Sequence, residues 1–257
     1  MDLAQWYEQM GQAILAGSVP NFGQRLLYDF YQSFIDGDRW KLYIQGLGVT
    51  LKITLMALCI GIILGVMVAM VRSVHDQQRL GRRNPFLILP NVIGRVYTTI
   101  IRGTPSMVQL LIMSFVVFRA SRNITMVAAL ALGINSGAYV AEIIRSGIMS
   151  VDPGQMEAGR SLGMSYTKVM RFVVVPQAIK NILPALGNEL ITLLKETAMV
   201  TVIGGRDLTK VAMLIQGKTY GGFMALFGVA FVYLSMVMFL TWLLGKLERR
   251  LRTSDRR

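Results

Sequence analysis

Apolar residues in this chain gather into runs long enough to cross a membrane. A spanning helix needs about 20 mostly apolar residues. The runs at residues 53–71 and 219–245 meet that requirement without a charged side chain, and the first extends back to about residue 46. Three further candidates lie around residues 104–118, with the mixed segment 86–102 before it, at 124–148 and at 177–203. The pattern predicts an all-α integral membrane protein with about five transmembrane helices.

Residues 1–43 have a different character from these runs. Tryptophan, tyrosine and phenylalanine are interspersed with polar residues there. This is typical of an amphipathic segment at a membrane surface, and a packed extra helix is an equally good interpretation. We therefore divide the chain into an N-terminal external segment (residues 1–43), a transmembrane domain (44–250) and a basic cytoplasmic tail (251–257).

Small residues at helical spacing occur inside two of the runs. Gly61 with Gly65, and Gly133 with Gly137, match the pattern that lets two membrane helices approach closely. We interpret both pairs as helix-packing positions.

Composition agrees with a membrane protein and excludes several kinds of chemistry. Charged residues make up 16% of the 257 residues, compared with about 25% in a typical soluble domain. Cys59 and His75 are the only residues of their types, which excludes an intrachain disulfide, a Cys/His metal site and a His-based catalytic triad. We expect no metal, no cofactor and no enzymatic activity on this chain.

The net charge of +13 is distributed as orientation signals are. Basic residues cluster in three segments on one side of a five-span topology, at residues 72–83, 160–171 and 246–257. Cytoplasmic loops of membrane proteins are rich in Lys and Arg. The N-terminus is therefore expected outside and the C-terminus in the cytoplasm. Because the basic residues are spread over three segments without a recognition motif, we expect no nucleic-acid partner.

One segment nearly matches a phosphate-binding loop. Residues 212–219 read AMLIQGKT, against the pattern G-x-x-x-x-G-K-[ST]. Ala212 replaces the first glycine, the interior is apolar and no strand precedes it. We therefore expect ATP to bind to a separate subunit.

A polar segment between the third and fourth runs contains clear helix boundaries. Asp152 suits an N-cap, Pro153 the first helical position and Gly163 the position just after the C-terminus. Ser165 begins a second helix, and Pro176 predicts a bend before the fourth run. The spacing predicts two short helices, turned at Gly163, on the cytoplasmic surface. From spacing alone, an ordinary loop helix without a partner is as good an interpretation as a docking element.

The spacing of this segment resembles the EAA loop of bacterial ABC importer permeases. The family pattern is Glu-Ala-Ala, three residues, Gly, nine residues, Ile, one residue, Leu-Pro. The matching residues in this chain are Glu157, Ala158, Gly159, Gly163, Val173, Val175 and Pro176. Gly159, Val173 and Val175 depart from the family residues without changing the spacing. In that family the first helix of the loop docks on the ATPase.

Shorter motifs resemble the polar amino acid branch of the same family. They include Arg102-Gly103-Thr104-Pro105, Val108-Gln109-Leu110, Ala138-Tyr139, Glu142-Ile143, Arg145-Ser146-Gly147-Ile148 and Leu194-Lys195-Glu196-Thr197. The resemblance covers about residues 44–250. It implies the type I ABC importer permease fold, in a bacterial plasma membrane, with a cytoplasmic coupling helix.

The resemblance also implies a set of partners. These are a second permease copy or close homologue, cytoplasmic ATP-binding subunits that hold ATP and magnesium, an extracytoplasmic amino-acid-binding protein and membrane lipid. The implied function is ATP-driven import of polar amino acids. The alternative function is an ion-coupled or passive transporter or channel that needs no ATPase.

Charged residues deep in a span are functional candidates, because exposing them to lipid is costly. Glu142 shares one helical face with Asn135 and Tyr139. That face either lines a polar cavity for substrate, or Glu142 forms an ion pair with Arg145 or Arg102.

Two further groups are candidates for the substrate pathway. Lys195, Glu196 and Thr197 lie inside the fourth run, where Lys195 and Glu196 offer a cation and an anion to a zwitterionic amino acid. A structural or gating network is an equally good interpretation of these residues. Gln109 and Thr104 are candidates for hydrogen bonds to substrate.

Overall fold

All regular secondary structure in residues 2–76, 85–219 and 222–253, the part of the chain that the structure describes, is helical. The structure is a computed structural model. Its helical content confirms the all-α prediction. The predicted basic positions at residues 79, 82 and 83, and residues 254–257 of the tail, lie outside the described residues.

Two short helices precede the first span, α1 (Leu3–Leu15) and α2 (Phe22–Phe30). Each begins with a capping box, in which the side chains of the N-cap and third helical residues each accept a hydrogen bond from the other's backbone N–H. Tyr7 of α1 stacks on Tyr28 of α2, with ring centroids 4.7 Å apart. A π-helical turn, Tyr31–Ile35, then leads towards the first span.

Helix α3 (Trp40–Asp76) is the first span and is longer at both ends than the predicted run. It is followed by α4 (Ile88–Gly103) and α5 (Ser106–Ile112), and α5 continues as a π-helical segment, Met113–Val117. The two helical pieces are bent by 106° relative to each other at the break between them.

Helix α6 (Ile124–Met149) forms the third predicted run, and the polar segment after it contains α7 (Pro153–Ser161) and α8 (Tyr166–Val169). A π-helical turn, Met170–Val174, joins α8 directly to α9 (Val175–Glu196). The sequence predicts a bend at Pro176, but the structure has a π-helical turn just before this proline, and α9 continues through it. Pro176 is tolerated because it lies at the start of α9.

After a 3₁₀ helix, Thr197–Ile203, the chain forms α10 (Leu208–Thr219) and α11 (Gly222–Thr253). The residues between the fourth and fifth predicted runs therefore form a helix, which Asp207 caps. The buried Asp207 carboxylate accepts hydrogen bonds from the backbone N–H groups of Thr209, at 2.9 Å, and Lys210, at 3.3 Å. Burial raises the pKa of this carboxyl above its usual range, although the hydrogen bonds act to lower it.

The AMLIQGKT segment is part of α10, so its backbone N–H groups belong to a regular helix rather than to a strand-to-helix loop. Within the described residues, four helices are long and apolar enough to cross a membrane, and the bent α4–α5 pair makes a fifth if it counts as one span. The expectation of about five spans agrees with this count. The four single helices are Trp40–Asp76, Ile124–Met149, Tyr166–Ile203 and Phe223–Leu251.

Helices α3 and α6 pack closely through their glycines. A Cβ atom at Gly61 would lie 2.9 Å from the Ser136 Oγ, and one at Gly133 would lie 2.7 Å from the Ile60 Cβ. At Gly137, a Cβ atom would lie 3.0 Å from the Leu64 Cβ. The interpretation of these glycines as helix-packing positions is confirmed.

Two apolar clusters surround this contact. One joins α3, α5, α6 and α9 through buried residues that include Ile53, Leu110, Leu132 and Leu193. The other joins α3, α10 and α11 around Tyr43, and Phe34 of the N-terminal segment packs against it. The last part of residues 1–43 is therefore packed against the transmembrane helices.

Candidate functional site

Two carboxylates on one face of α9 lie inside the helix bundle. Glu189 and Glu196 are separated by two helical turns, so they share that face. The Ser136 hydroxyl of α6 donates to Glu189 at 2.7 Å, and the Ser106 hydroxyl of α5 donates to Glu196 at 3.4 Å. The pair therefore faces the space where α5, α6 and α9 meet.

Neither carboxylate forms a salt bridge with a described residue. The acidic partners in the salt bridges of the described segments are Asp36, Asp38, Asp76 and Glu142. Lys195 interacts with Glu196 only at longer range, and its side chain is exposed. Buried Thr197 donates its hydroxyl to the carbonyl of Leu194 at 2.6 Å, within its own helix.

A second polar group holds the break between α4 and α5. Pro105 has no N–H, so the carbonyl of Ile101 lacks its normal helical donor. The Gln109 Nε2 donates to that carbonyl at 2.8 Å and to the Thr104 Oγ1 at 2.7 Å. The Asn135 Nδ2 of α6 donates to the Gln109 Oε1 at 2.9 Å. Three of the predicted pathway residues, Thr104, Gln109 and Asn135, thus form one network.

A third group is a network of charges around Glu142. Arg72 of α3 forms an ion pair with Glu142, and so does Arg145, at 3.0 Å. Arg102 of α4 lies 4.0 Å from the same carboxylate, and Arg145 also contacts Asp76, at 3.4 Å. Three guanidinium groups therefore meet two carboxylates. The predicted pairing of Glu142 with Arg145 or Arg102 occurs, and Arg72 adds a partner from a third helix.

This charge network borders an open cavity of about 440 Å³. Glu142 and Tyr139 of α6 line it, together with Arg72 of α3 and Arg102 of α4. The Arg102 guanidinium lies over the Tyr139 ring, 5.4 Å from its centroid. Arg72 also donates to the hydroxyl of Thr98, at 3.0 Å, so it links three helices. Tyr139 and Glu142 of the shared α6 face therefore line a cavity, whereas Asn135 contacts the α4–α5 break.

The polar segment forms a separate surface beyond the end of α6. Helix α7 borders a cleft of about 830 Å³, whose lining includes Asp152, Glu157 and Arg160. Leu162, at the end of α7, is an apolar side chain that is 83% exposed. Acidic, basic and apolar groups on one short helix make a surface suited to a protein partner.

The turn after α7 is a Schellman motif centred on Gly163. Gly163 has φ +80°, its N–H donates to the Arg160 carbonyl, and the Met164 N–H donates to the Gly159 carbonyl. The helix–glycine–helix prediction is confirmed at this position. Gly159 is buried, and a Cβ atom there would lie 2.7 Å and 2.8 Å from the two methyl groups of Val169.

Comparison of the sequence with models of known protein families identifies one family that matches this chain. The family model described as a binding-protein-dependent transport system inner membrane component matches residues 85–253. The chain belongs to this family. The family consists of transport permeases, and it implies an EAA motif and a coupling helix. Helix α7 contains Glu157, Ala158 and Gly159, which match the start of the EAA pattern.

Similar permeases include two curated relatives. The arginine transport system permease protein ArtQ of Bacillus subtilis is 39% identical over 82% of this chain and 93% of its own length. The glutamine transport system permease protein GlnP of Escherichia coli is 32% identical over 82% of this chain and 93% of its own length.

Solved permease structures give the same architecture. A crystal structure of an amino acid ABC transporter with histidines has a TM-score of 0.74, with 41% identity, and covers 91% of this chain and 100% of its own. An inward-facing MetNI methionine ABC transporter has a TM-score of 0.73 over 84% of this chain and 99% of its own, and at 19% identity it supports the fold alone. The type I permease fold expected from the sequence is confirmed.

Several residues of this permease site were missed by sequence reasoning. Glu189 is not among the predicted pathway residues, although its spacing from Glu196 in the sequence puts the two on one helical face. Ser106 and Ser136 carry no sequence signal, because a serine in a span is common. Arg72 was counted as an orientation charge, and its contact with Glu142 joins residues far apart in the chain.

Proposed function

We propose that this chain is the permease subunit of an ATP-driven amino acid importer whose substrate carries a cationic side chain. The observation that carries the substrate class is the Glu189–Glu196 pair. Both residues are partly buried, and a carboxylate withdrawn from water is costly unless a cation or several hydrogen bonds satisfy it. Each of these two has one serine partner and no ion pair with a described residue. A guanidinium or ammonium group is the cation that an amino acid substrate brings.

The polar groups along α6 outline a path for such a substrate. Ser136 contacts Glu189 of the carboxylate pair, and Asn135 contacts Gln109 at the α4–α5 break. Tyr139 and Glu142 border the cavity nearer the C-terminal end of α6. The excess of guanidinium groups around that cavity complements the α-carboxylate of an amino acid. One relative named for arginine transport, and an amino acid transporter solved with histidines, support the same substrate class, whereas the relative named for glutamine transport points to a neutral polar side chain.

Stimulation of ATP hydrolysis tests the substrate. The chain is reconstituted in vesicles with its ATP-binding subunits and binding protein, and arginine, lysine, histidine, glutamine and glutamate are compared. We expect the cationic amino acids to stimulate hydrolysis and glutamate to have no effect. Glu189→Gln and Glu196→Gln should each raise KM by about thirty-fold, as expected when a buried charge pair loses one partner. The control is Glu8→Gln, an exposed carboxylate of α1.

A different outcome would change the proposal in a defined way. If glutamine or glutamate stimulated hydrolysis as strongly as arginine, the substrate class would be wrong and the importer function would stand. If uptake proceeded without ATP-binding subunits and followed an ion gradient, the importer function itself would be wrong.

We propose further that α7 docks the ATP-binding subunit through Glu157, Ala158 and Gly159, with Gly163 setting its angle. The exposed charges and Leu162 provide the contact surface. Glu157→Arg should abolish co-purification of the ATP-binding subunit while the permease remains folded. Glu8→Arg, a matched charge reversal on α1, should leave co-purification intact. Undiminished co-purification of Glu157→Arg would exclude this residue from the docking surface.

The remaining assembly follows from the family. We propose a second permease copy or close homologue, ATP and magnesium on the partner ATPase, and an extracytoplasmic binding protein. We also propose a bacterial plasma membrane location with the N-terminus outside, since cytoplasmic segments concentrate basic residues. Cross-linking of purified complexes, with masses read by mass spectrometry, tests the subunit composition.

A further inference from the structure

A leucine-lined groove runs between α9 and the last part of α11. Its volume is about 360 Å³, and its walls include Leu190 of α9 and Leu240, Leu243 and Leu247 of α11. The two helices approach closely at the groove, because the side chain of the buried Leu244 of α11 packs against Gly187 of α9. The groove is open at the surface of the described helices and is almost entirely apolar along its length. It is separate from the carboxylate pair and from the cleft at α7.

The polar end of this groove carries two cations. Lys246 and Arg250 lie one helical turn apart on α11, and both line the groove. The Lys246 Nζ lies 3.6 Å from the ring centroid of Trp242, one turn earlier. Tryptophan and long basic side chains of membrane helices concentrate at the depth of the lipid headgroups. The groove therefore runs from headgroup depth into the hydrocarbon region.

We propose that this groove binds one anionic phospholipid. An acyl chain lies along the leucines, and the phosphate pairs with Lys246 and Arg250. A second copy of the chain is the competing occupant of an apolar groove. A two-fold contact through this patch would bring the cations of both copies together, which is unfavourable. The charge of the groove end thus favours a lipid phosphate over another copy of α11.

Native mass spectrometry of the purified full-length chain tests the proposal. Delipidated protein is titrated with phosphatidylglycerol and, separately, with zwitterionic phosphatidylcholine of the same acyl chains. We expect phosphatidylglycerol to bind more tightly, with about a five-fold loss of affinity in Lys246→Gln and in Arg250→Gln. Arg249→Gln is the matched control, because Arg249 is adjacent, donates to the Gly245 carbonyl and does not line the groove.

A second variant tests the apolar part of the site. Leu243→Trp fills the groove without changing its charge and should reduce binding of both lipids. Equal binding of the two lipids to the wild-type chain would overturn the phosphate contact. Unchanged binding in all groove variants would overturn the site, and loss of the dimer mass in Leu243→Trp would assign the groove to a second copy.

Discussion

Gly159 shows how one residue sets the packing of the coupling helix. The EAA pattern has alanine at this position, and this chain has glycine. The reason lies opposite, where the fully buried Val169 occupies the space of a Cβ atom. Valine is rigid in a helix because its branched side chain has one preferred rotamer there. Glycine at 159 and valine at 169 are therefore a matched pair.

Gly159→Ala should destabilise the fold by about 1–3 kcal/mol through overpacking. Thermal unfolding of the purified chain measures the loss. The double variant Gly159→Ala with Val169→Ala should recover most of it, because the second change removes the two clashing methyl groups. Gly217→Ala, at a glycine with open space around it, serves as the control. A Gly159→Ala chain as stable as wild type would contradict the matched-pair explanation.

At the scale of the element, the break between α4 and α5 depends on a single amide. Pro105 removes one helical hydrogen bond, and the Gln109 side chain replaces it while also contacting Asn135. Hydrogen bonds from Gln109 of α5 to Ile101 of α4, and from Asn135 of α6 to Gln109, thus stabilise the bend of 106°. Such a polar network is worth most when every group has a partner.

Gln109→Ala should leave the carbonyl of Ile101 without a donor and cost about 1–3 kcal/mol. It should also widen the distribution of the angle between α4 and α5. Spin labels at the exposed positions Val92 and Val116 measure that distribution by pulsed electron resonance. Gln12→Ala on exposed α1 is the control. A distance distribution as narrow as that of wild type would show that Gln109 does not hold the bend.

At the scale of the whole molecule, the bent α4–α5 pair decides which side of the membrane each terminus faces. If the pair is counted as one span, the described part of the chain has five candidate spans, and if it is not, four. An odd number of spans puts the termini on opposite sides. The basic segments at residues 72–83 and around α7 agree with the odd number, because they lie on the same side of the membrane only if the bent pair crosses it.

Cysteine labelling tests this topology. In a Cys59→Ser background, Gln12→Cys should react with a membrane-impermeant maleimide in intact spheroplasts. Glu248→Cys should react only after the membrane is opened. Equal labelling of both positions in intact spheroplasts would mean that the termini share one side and that the bent pair does not cross.

The features predicted correctly are those with local causes. The α7–α8 element followed from Asp152, Gly163 and Ser165, because caps and left-handed turns depend on a few neighbouring residues. The apolar runs predicted α3, α6 and α11 for the same reason. Helix α10 was missed because its sequence is short and mixed, although the cap at Asp207 was the available signal.

The features that could not be predicted depend on contacts between distant residues. The contact of Arg72 with Glu142 joins α3 to α6, and no local pattern distinguishes such an arginine from an orientation charge. Likewise, Gln109 was predicted as a hydrogen-bonding residue, but its acceptor at Ile101 depends on the bend itself. Which residues meet substrate remains a prediction that the proposed transport measurements address.

The glycine contact between α3 and α6 has a mechanical consequence. Gly61 packs against the short side chain of Ser136, and Gly133 packs against the β-branched side chain of Ile60, so little free space between the two helices can absorb sliding or twisting. Helices α3 and α6 should therefore move together as one rigid unit during a transport cycle. Displacement that starts at α7 reaches this rigid unit directly through residues 150–152, which join α7 to α6. It reaches α9, with its pair of carboxylates, through α8 and the π-helical turn.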